Sequence, residues 1–150
     1  MKSLLIVHHS LTGGTSQMAH AAAAGARREP QVAVRLETAA EARAQALLDC
    51  DGYLFAAPEN LAAISGVMKD FFDRTYYAGL DRIQGRPYGL LVCAGSDGTN
   101  AARQMERIAT GWRLRAVAPP LIVCTHAQTP EAILAPKRLG HEDLARCEEL

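Results

Sequence analysis

A short loop near the beginning of the chain carries residue types that bind anions. Residues 10–15 read Ser-Leu-Thr-Gly-Gly-Thr and join an apolar run at residues 4–7 to an alanine-rich stretch that predicts a helix. Short hydroxyls and free backbone N–H groups in this position face the positive end of the helix dipole, where a phosphate is stabilised. The residues expected to form this cradle are Ser10, Thr12, Gly13, Gly14 and Thr15.

The cradle contains no lysine or arginine. Hydroxyls and amides alone suit a phosphate monoester, such as that of flavin mononucleotide (FMN), better than a triphosphate, because the added charge of a triphosphate usually recruits a lysine and a magnesium site. An ordinary helix N-cap that follows a glycine turn is the alternative interpretation of the same residues.

Strands and helices alternate along the chain and predict an α/β fold. Parallel strands need crossovers, and right-handed crossovers cover both faces of the sheet with helices. We expect a three-layer sandwich around a five-stranded parallel sheet of order 2-1-3-4-5, with a ligand at the carboxyl ends of strands 1 and 3. Buried strands are predicted at residues 3–8, 32–36, 52–56, 88–93 and 121–124, and helices at 15–28, 40–48, 64–77, 100–112 and from 141 onward.

Two further loops follow strands 3 and 4, at the same edge of the predicted sheet. The first reads Pro58-Glu59-Asn60-Leu61, in which Pro58 restricts the exit from the strand. The second reads Gly95-Ser96-Asp97-Gly98, and its two glycines around a Ser-Asp pair also fit a generic turn that caps the next helix. Because this topology places its ligand at these three loops, we expect one shared site.

The loops resemble those of a known superfamily. Residues 10–15 match the pattern [Ser/Thr]-x-Thr-Gly-x-Thr of flavodoxins, and residues 58–74, with their Met68-Lys69 and Asp73-Arg74 pairs, look like the corresponding segment of flavin and quinone reductases. The chain thus resembles the flavodoxin-like superfamily, closest in its loops to NAD(P)H-dependent FMN reductases and NAD(P)H:quinone oxidoreductases. The resemblance implies a flavodoxin-like fold, with the FMN phosphate in the first loop and its ring bordered by residues 58–61 and 95–98.

The resemblance also implies an oxidoreductase that passes electrons from NAD(P)H through FMN to a quinone or another small acceptor. The flavin performs this chemistry, so no side chain is expected to be catalytic. Electron-carrying flavodoxins usually clamp the ring between aromatic side chains and surround it with acidic ones, whereas here the ring-side loops contain no tyrosine or tryptophan and the net charge is zero. A flavodoxin-type electron carrier and a non-enzymatic flavin-binding module stay open as alternatives. Reductases of this type commonly form homo-oligomers.

A serine hydrolase is the other enzyme class that the sequence leaves open. Residues 94–98, Ala-Gly-Ser-Asp-Gly, resemble the small-x-Ser-x-Gly nucleophile elbow between a strand and a helix, with Ser96 as the nucleophile. Such an enzyme needs an acid and then a histidine downstream, for which Glu131 and His141 are available.

Composition limits the domain organisation, the binding partners and the location that the sequence allows. The chain has 150 residues, of which 49% are hydrophobic, and we expect one domain over residues 1–150. Sixteen basic residues balance sixteen acidic ones, which argues against binding to nucleic acid or to an anionic membrane. His8 and His9 alternate across a strand end and form no metal pair. Four cysteines without C-x-x-C spacing and only a short apolar run at residues 4–7 favour a reduced, cytoplasmic protein without a membrane span.

Overall fold

The computed structural model describes residues 1–150 as a parallel sheet with helices on both faces. Three helices pack on one face and two on the other, as the alternation of strands and helices predicts. The strands are β1 (Lys2–His8), β2 (Val32–Thr38), β3 (Gly52–Asn60), β4 (Ala63–Ile64), β5 (Pro87–Ala94), β6 (Arg115–Ala116) and β7 (Leu121–Cys124). The helices are α1 (Gly14–Ala26), α2 (Ala44–Asp49), α3 (Gly66–Gly79), α4 (Thr99–Gly111), α5 (Pro130–Leu134) and α6 (His141–Glu149).

The five main strands run parallel in the order β2-β1-β3-β5-β7, which confirms the predicted order 2-1-3-4-5. The sheet has seven strands rather than the predicted five. The two additional strands, β4 and β6, have two residues each. One of them, β6, pairs with the beginning of β5, and β7 then pairs with its end. Pro119 and Pro120 lie between β6 and β7 and cannot donate ladder hydrogen bonds, so the edge strand is interrupted there.

Successive residues of each central strand enter two separate cores, because side chains alternate across a sheet. Leu5, Phe55 and Val92 face the core under α2, α3 and α4. Their neighbours Ile6 and Leu91 face the core under α1 and α6, where small alanines of α1 allow close packing. The hydrophobic runs of the sequence therefore belong to strands that are buried on both faces.

The second unpredicted strand, β4, changes the shape of the segment after β3. β3 continues to Asn60, four residues beyond its predicted end, and turns back into β4 as an antiparallel hairpin. The pairs Glu59 with Ile64 and Asn60 with Ala63 close it. The expected loop at residues 58–61 is therefore the end of a strand and half of a two-residue turn.

We predict that Gly25→Ala destabilises the protein, because a methyl group there would overlap the backbone carbonyl oxygen of Glu148 in α6. Overpacking against rigid backbone should lower the free energy of unfolding by about 1–3 kcal/mol, measured by urea denaturation followed by circular dichroism. Gly66→Ala is the matched control, since no atom lies within 4 Å of its added methyl group. The control should stay within about 1 kcal/mol of the wild type, and equal stability of the two variants would contradict the packing of α1 on α6.

Candidate functional site

A cavity of about 500 Å³ opens at the carboxyl ends of β1, β3 and β5. This volume lies within the usual range for a small-molecule site. Three loops and the segment after β7 line the cavity, so the structure brings together the segments that the sequence places at this edge. The predicted site residues that line the cavity are Ser10, Thr12, Gly14, Thr15, Pro58, Glu59, Asn60, Leu61, Gly95 and Ser96. Gly13, Asp97 and Gly98 do not line it.

The first loop is shaped by Gly13, which precedes α1 in the left-handed region at φ 99°. Its N–H donates to Ser10 Oγ at 3.0 Å. The expectation that this N–H is free to bind an anion is therefore wrong, because a hydroxyl of the same loop already accepts it. Gly14, by contrast, begins the helix and faces the cavity, and the N–H groups of the first helical turn have no acceptor within the helix.

The hydroxyl of Thr15 is the most informative polar group in this loop. The residue is 1% exposed, and its Oγ1 has no hydrogen-bond partner in the protein. A buried hydroxyl without a hydrogen-bond partner lowers the stability of a protein by about 1–3 kcal/mol, and such groups are rare in native proteins. Because Thr15 lines the cavity at the positive end of the α1 dipole, its hydroxyl is suited to donate to a bound anion.

The β3–β4 hairpin forms the second wall of the cavity. Its turn residues Leu61 and Ala62 have φ of 51° and 62°, as a two-residue hairpin turn requires, although neither is a glycine. Four hydrogen bonds join the hairpin to α4 and the loop before it, one of them from the N–H of Ile64 to Gln104 Oε1 at 2.8 Å. The Glu59 carboxylate accepts from the N–H groups of Gly98 and Ala101 at 2.9 and 3.1 Å, which places its charge at the positive end of α4. Asn100 Nδ2 donates to the carbonyl of Ala62 at 2.6 Å.

The third loop contributes only Gly95 and Ser96 to the cavity. Asp97 accepts from the N–H and the hydroxyl of Thr99 at 3.2 and 2.8 Å, and thus binds the first residue of α4. Gly98 lies at φ 88°, and a methyl group there would come within 2.6 Å of Ile122 Cγ2. The prediction that Asp97 and Gly98 border a ligand is not supported by their positions, because both residues are used to turn the chain into the helix.

The arrangement of a serine hydrolase is absent. Ser96 is exposed and makes no hydrogen bond to a histidine, and neither Glu131 nor His141 lines the cavity. Its backbone lies outside the left-handed region, so the loop lacks the strained nucleophile of an elbow.

The segment after β7 supplies five of the nine lining residues that sequence reasoning missed, and the other four, Leu11, Ala62, Cys93 and Ala94, adjoin predicted ones. Thr125, Ala127 and Gln128 follow the strand, and Ile133 and Lys137 lie in and after α5. No motif marks these residues. Thr129 as N-cap and Pro130 at the first helical position are the local signal of an additional short helix.

Burial is the largest cause of the pKa shifts of three groups at this edge. Burial raises the pKa of the Cys93 thiol to about 11, against the opposing effect of the nearby Lys137 ammonium, so this cavity-lining thiol is neutral at pH 7. Burial also lowers the pKa of His8 and His9. His9 Nδ1 lies 2.9 Å from Ser65 Oγ, and neither residue lines the cavity. No group of three or more metal-ligating side chains is present.

Similarity to known proteins identifies relatives of this chain. A family model described as NADPH-dependent FMN reductase matches residues 27–129. A flavodoxin of Aquifex aeolicus is 34% identical over 96 residues, which are 64% of this chain and 50% of that protein. An NAD(P)H dehydrogenase (quinone) of Acidithiobacillus ferrooxidans is 35% identical over 95 residues, 50% of this chain and 48% of that protein. The chain thus spans about half the length of these curated relatives.

Solved structures share the fold. A flavodoxin from the domain Archaea superposes with a TM-score of 0.80 at 18% identity, covering 98% of this chain and 92% of that one. A WrbA-like flavodoxin from Agrobacterium tumefaciens superposes with a TM-score of 0.74 at 18% identity, covering 99% and 91% of the two chains. These superpositions confirm the flavodoxin-like fold. None of the helices has the length and apolar character needed to cross a bilayer.

We predict that Gly14→Ala destabilises the protein and that a second substitution reverses part of the loss. A methyl group at Gly14 would lie 2.6 Å from Cys93 Sγ, which is an overlap. It would lie 3.7 Å from Cys93 Cβ, which is an ordinary contact. The single variant should lose about 1–3 kcal/mol of unfolding free energy through overpacking, and Cys93→Ala should restore part of it in the double variant. A double-mutant cycle by urea denaturation measures this coupling, and purely additive losses would show that the two residues are not in contact.

Proposed function

The chain belongs to the NADPH-dependent FMN reductase family, and on this premise we propose that it binds FMN in the cavity and passes electrons from NAD(P)H to a quinone or another small acceptor. Reduced nicotinamide as donor agrees with the description of the family, and a quinone acceptor agrees with the name of the Acidithiobacillus relative. The unpartnered Thr15 hydroxyl carries the proposal, since it provides a donor for an anion at one end of a cavity of suitable size.

The residues at the α1 end of the cavity fit a phosphate monoester. Thr15 Oγ1 lacks a partner, Gly14 allows a ligand to approach the backbone, and the first turn of α1 presents N–H groups. Ser10 and Thr12 supply further hydroxyls. Gly13 would act only through its backbone conformation, which turns the chain into α1.

The other walls of the cavity fit a flat ring. The hairpin backbone from Pro58 to Leu61 forms one side, and Gly95 and Ser96 form another. No aromatic side chain lines the cavity, so no residue of this chain would cover the ring by stacking. That openness favours a reductase, in which a nicotinamide and then an acceptor must reach the ring.

When bound, FMN supplies the redox chemistry, by taking a hydride from the nicotinamide and giving electrons to the acceptor. The task of the protein is to hold and orient this group. The hydrogen bonds from Gly98 and Ala101 to Glu59 keep the hairpin in place and neutralise a carboxylate that would otherwise face the site. Asp97 and Gly98 contribute through α4 and its preceding turn rather than by contact.

The rim of the cavity bears exposed apolar residues, Leu11, Leu61 and Ile133. A homo-oligomer is part of the proposal, because contact with a second copy would bury these exposed apolar side chains. An electron carrier is the second candidate, which the flavodoxin of Aquifex aeolicus favours.

We predict opposite effects of Thr15→Val on stability and on FMN binding. The substitution keeps the shape of the side chain and removes the unpartnered hydroxyl, so the flavin-free protein should gain up to about 1 kcal/mol of unfolding free energy. FMN binding, measured by quenching of flavin fluorescence, should weaken about tenfold or more, because a hydrogen bond to a charged group is lost. Thr110→Val on the exposed surface of α4 is the control and should change neither quantity. Unchanged FMN affinity would remove Thr15 from the site.

We expect NADPH or NADH to reduce the FMN-loaded protein rapidly without oxygen. The flavin absorbance near 450 nm, a property of the cofactor, should bleach within seconds in stopped-flow mixing. Subsequent addition of a quinone should restore the band. A band that persists for minutes with either nicotinamide would favour the electron carrier over the reductase.

A further inference from the structure

Lys137 is the one lysine or arginine that lines the cavity. It comes from the segment after α5, which lies across the first loop. Its N–H donates to the carbonyl of Thr12 at 2.7 Å, and a methyl group built on Gly14 would lie 3.7 Å from Lys137 Cβ. The Lys137 side chain therefore starts beside the proposed phosphate cradle.

Gln17 of α1 holds this segment in position. Its Nε2 donates to the carbonyl of Lys137 at 2.6 Å, and its Oε1 accepts from the N–H of Leu139 at 2.9 Å. Leu139 is in turn buried in the core under α1 and α6. The backbone around Lys137 is thus fixed by hydrogen bonds on both sides and by an apolar anchor.

The Lys137 ammonium itself is bound by neutral groups only. Nζ donates to the carbonyls of Ala132, Ile133 and Ala135 at 2.7, 2.8 and 2.6 Å, at the carboxyl end of α5. None of the ion pairs in the structure includes Lys137. Its positive charge is oriented by α5 but is not neutralised by a carboxylate.

The only acidic residue that lines the cavity is Glu59, whose carboxylate is bound at the start of α4. A phosphate dianion placed at the start of α1 would therefore meet one uncompensated cation. Solvent weakens an attraction of this kind but does not abolish it within a Debye length, which is about 8 Å at physiological ionic strength.

Resting on the proposed function, we infer that Lys137 is a specificity-determining residue, which makes the site prefer a flavin phosphate monoester to the same flavin without phosphate. FMN and riboflavin share the ring and differ in the dianion. The hydroxyls and N–H groups of the first loop determine where the phosphate binds, and Lys137 supplies the charge that this loop lacks. α5 is then the element that orients the charge.

The test compares the dissociation constants of FMN and riboflavin for the wild type, Lys137→Met and Lys137→Arg, by fluorescence quenching at low and high salt. Lys137→Met should weaken FMN about tenfold and riboflavin by less than about twofold. Lys137→Arg should keep most of the preference. High salt should reduce the preference for FMN over riboflavin more in the wild type than in Lys137→Met, because salt screens the Lys137 charge.

Thr129→Ala separates the effect of the Lys137 charge from the effect of a less stable α5. Thr129 Oγ1 accepts from the N–H of Ala132 at 3.2 Å, so this variant loosens the start of the helix and leaves the charge in place. It should lower the preference for FMN less than Lys137→Met does, because the charge itself is kept. Equal weakening of both flavins by Lys137→Met would overturn the inference while wild-type binding of FMN still supports the proposed function. A wild type that binds neither flavin would overturn the proposed function and this inference with it.

Should Lys137→Met fail to fold, Lys137→Gln and the salt dependence of the wild-type preference provide the same comparison. A wild-type preference that does not change with salt would also contradict a role for the Lys137 charge.

Discussion

The placement of β3 between β1 and β5 is the constraint on which the rest of the structure depends. Its parallel register pairs His8 with Ala56 and Pro58 with Cys93, so the three strands end at one edge of the sheet. A slip of one residue would turn every side chain of β3 to the opposite face and disrupt both cores. The same register brings the loops after the three strands together around one cavity.

This geometry places the starts of α1 and α4 at the same edge, but the protein uses them differently. At α4 the N–H groups of Gly98 and Ala101 are bound by the protein's own Glu59 carboxylate. At α1 no carboxylate is present, and the Thr15 hydroxyl is buried without a partner. One helix start is thus neutralised internally, and the other is left for an external anion. In the proposed function, the phosphate occupies the α1 end of the cavity and the flat part of the ligand lies on the hairpin side.

Much of this arrangement could be predicted from the sequence. The strand order was correct because right-handed crossovers leave few topologies for alternating strands and helices. The first loop could be located because hydroxyls and glycines between a strand and a helix have few other uses. The errors have local causes. The predicted free N–H of Gly13 is bound by Ser10, which spacing alone could not show. The hairpin was missed because its turn, Leu61-Ala62, lacks the glycine or asparagine that usually marks one.

The sequence by itself determined the periodic elements, their order and the edge at which the loops collect, because these properties depend on residues that are near one another in the chain. Only the tertiary structure decided which polar groups would be left without partners. Glu59 reaches Gly98 across 39 positions, and Gln17 holds Lys137 across 120. No local pattern records such contacts, since their energy comes from side chains that meet only after the sheet has formed. The sequence therefore located the loops of a candidate anion site, and the fold placed Lys137 in the lining of the same cavity.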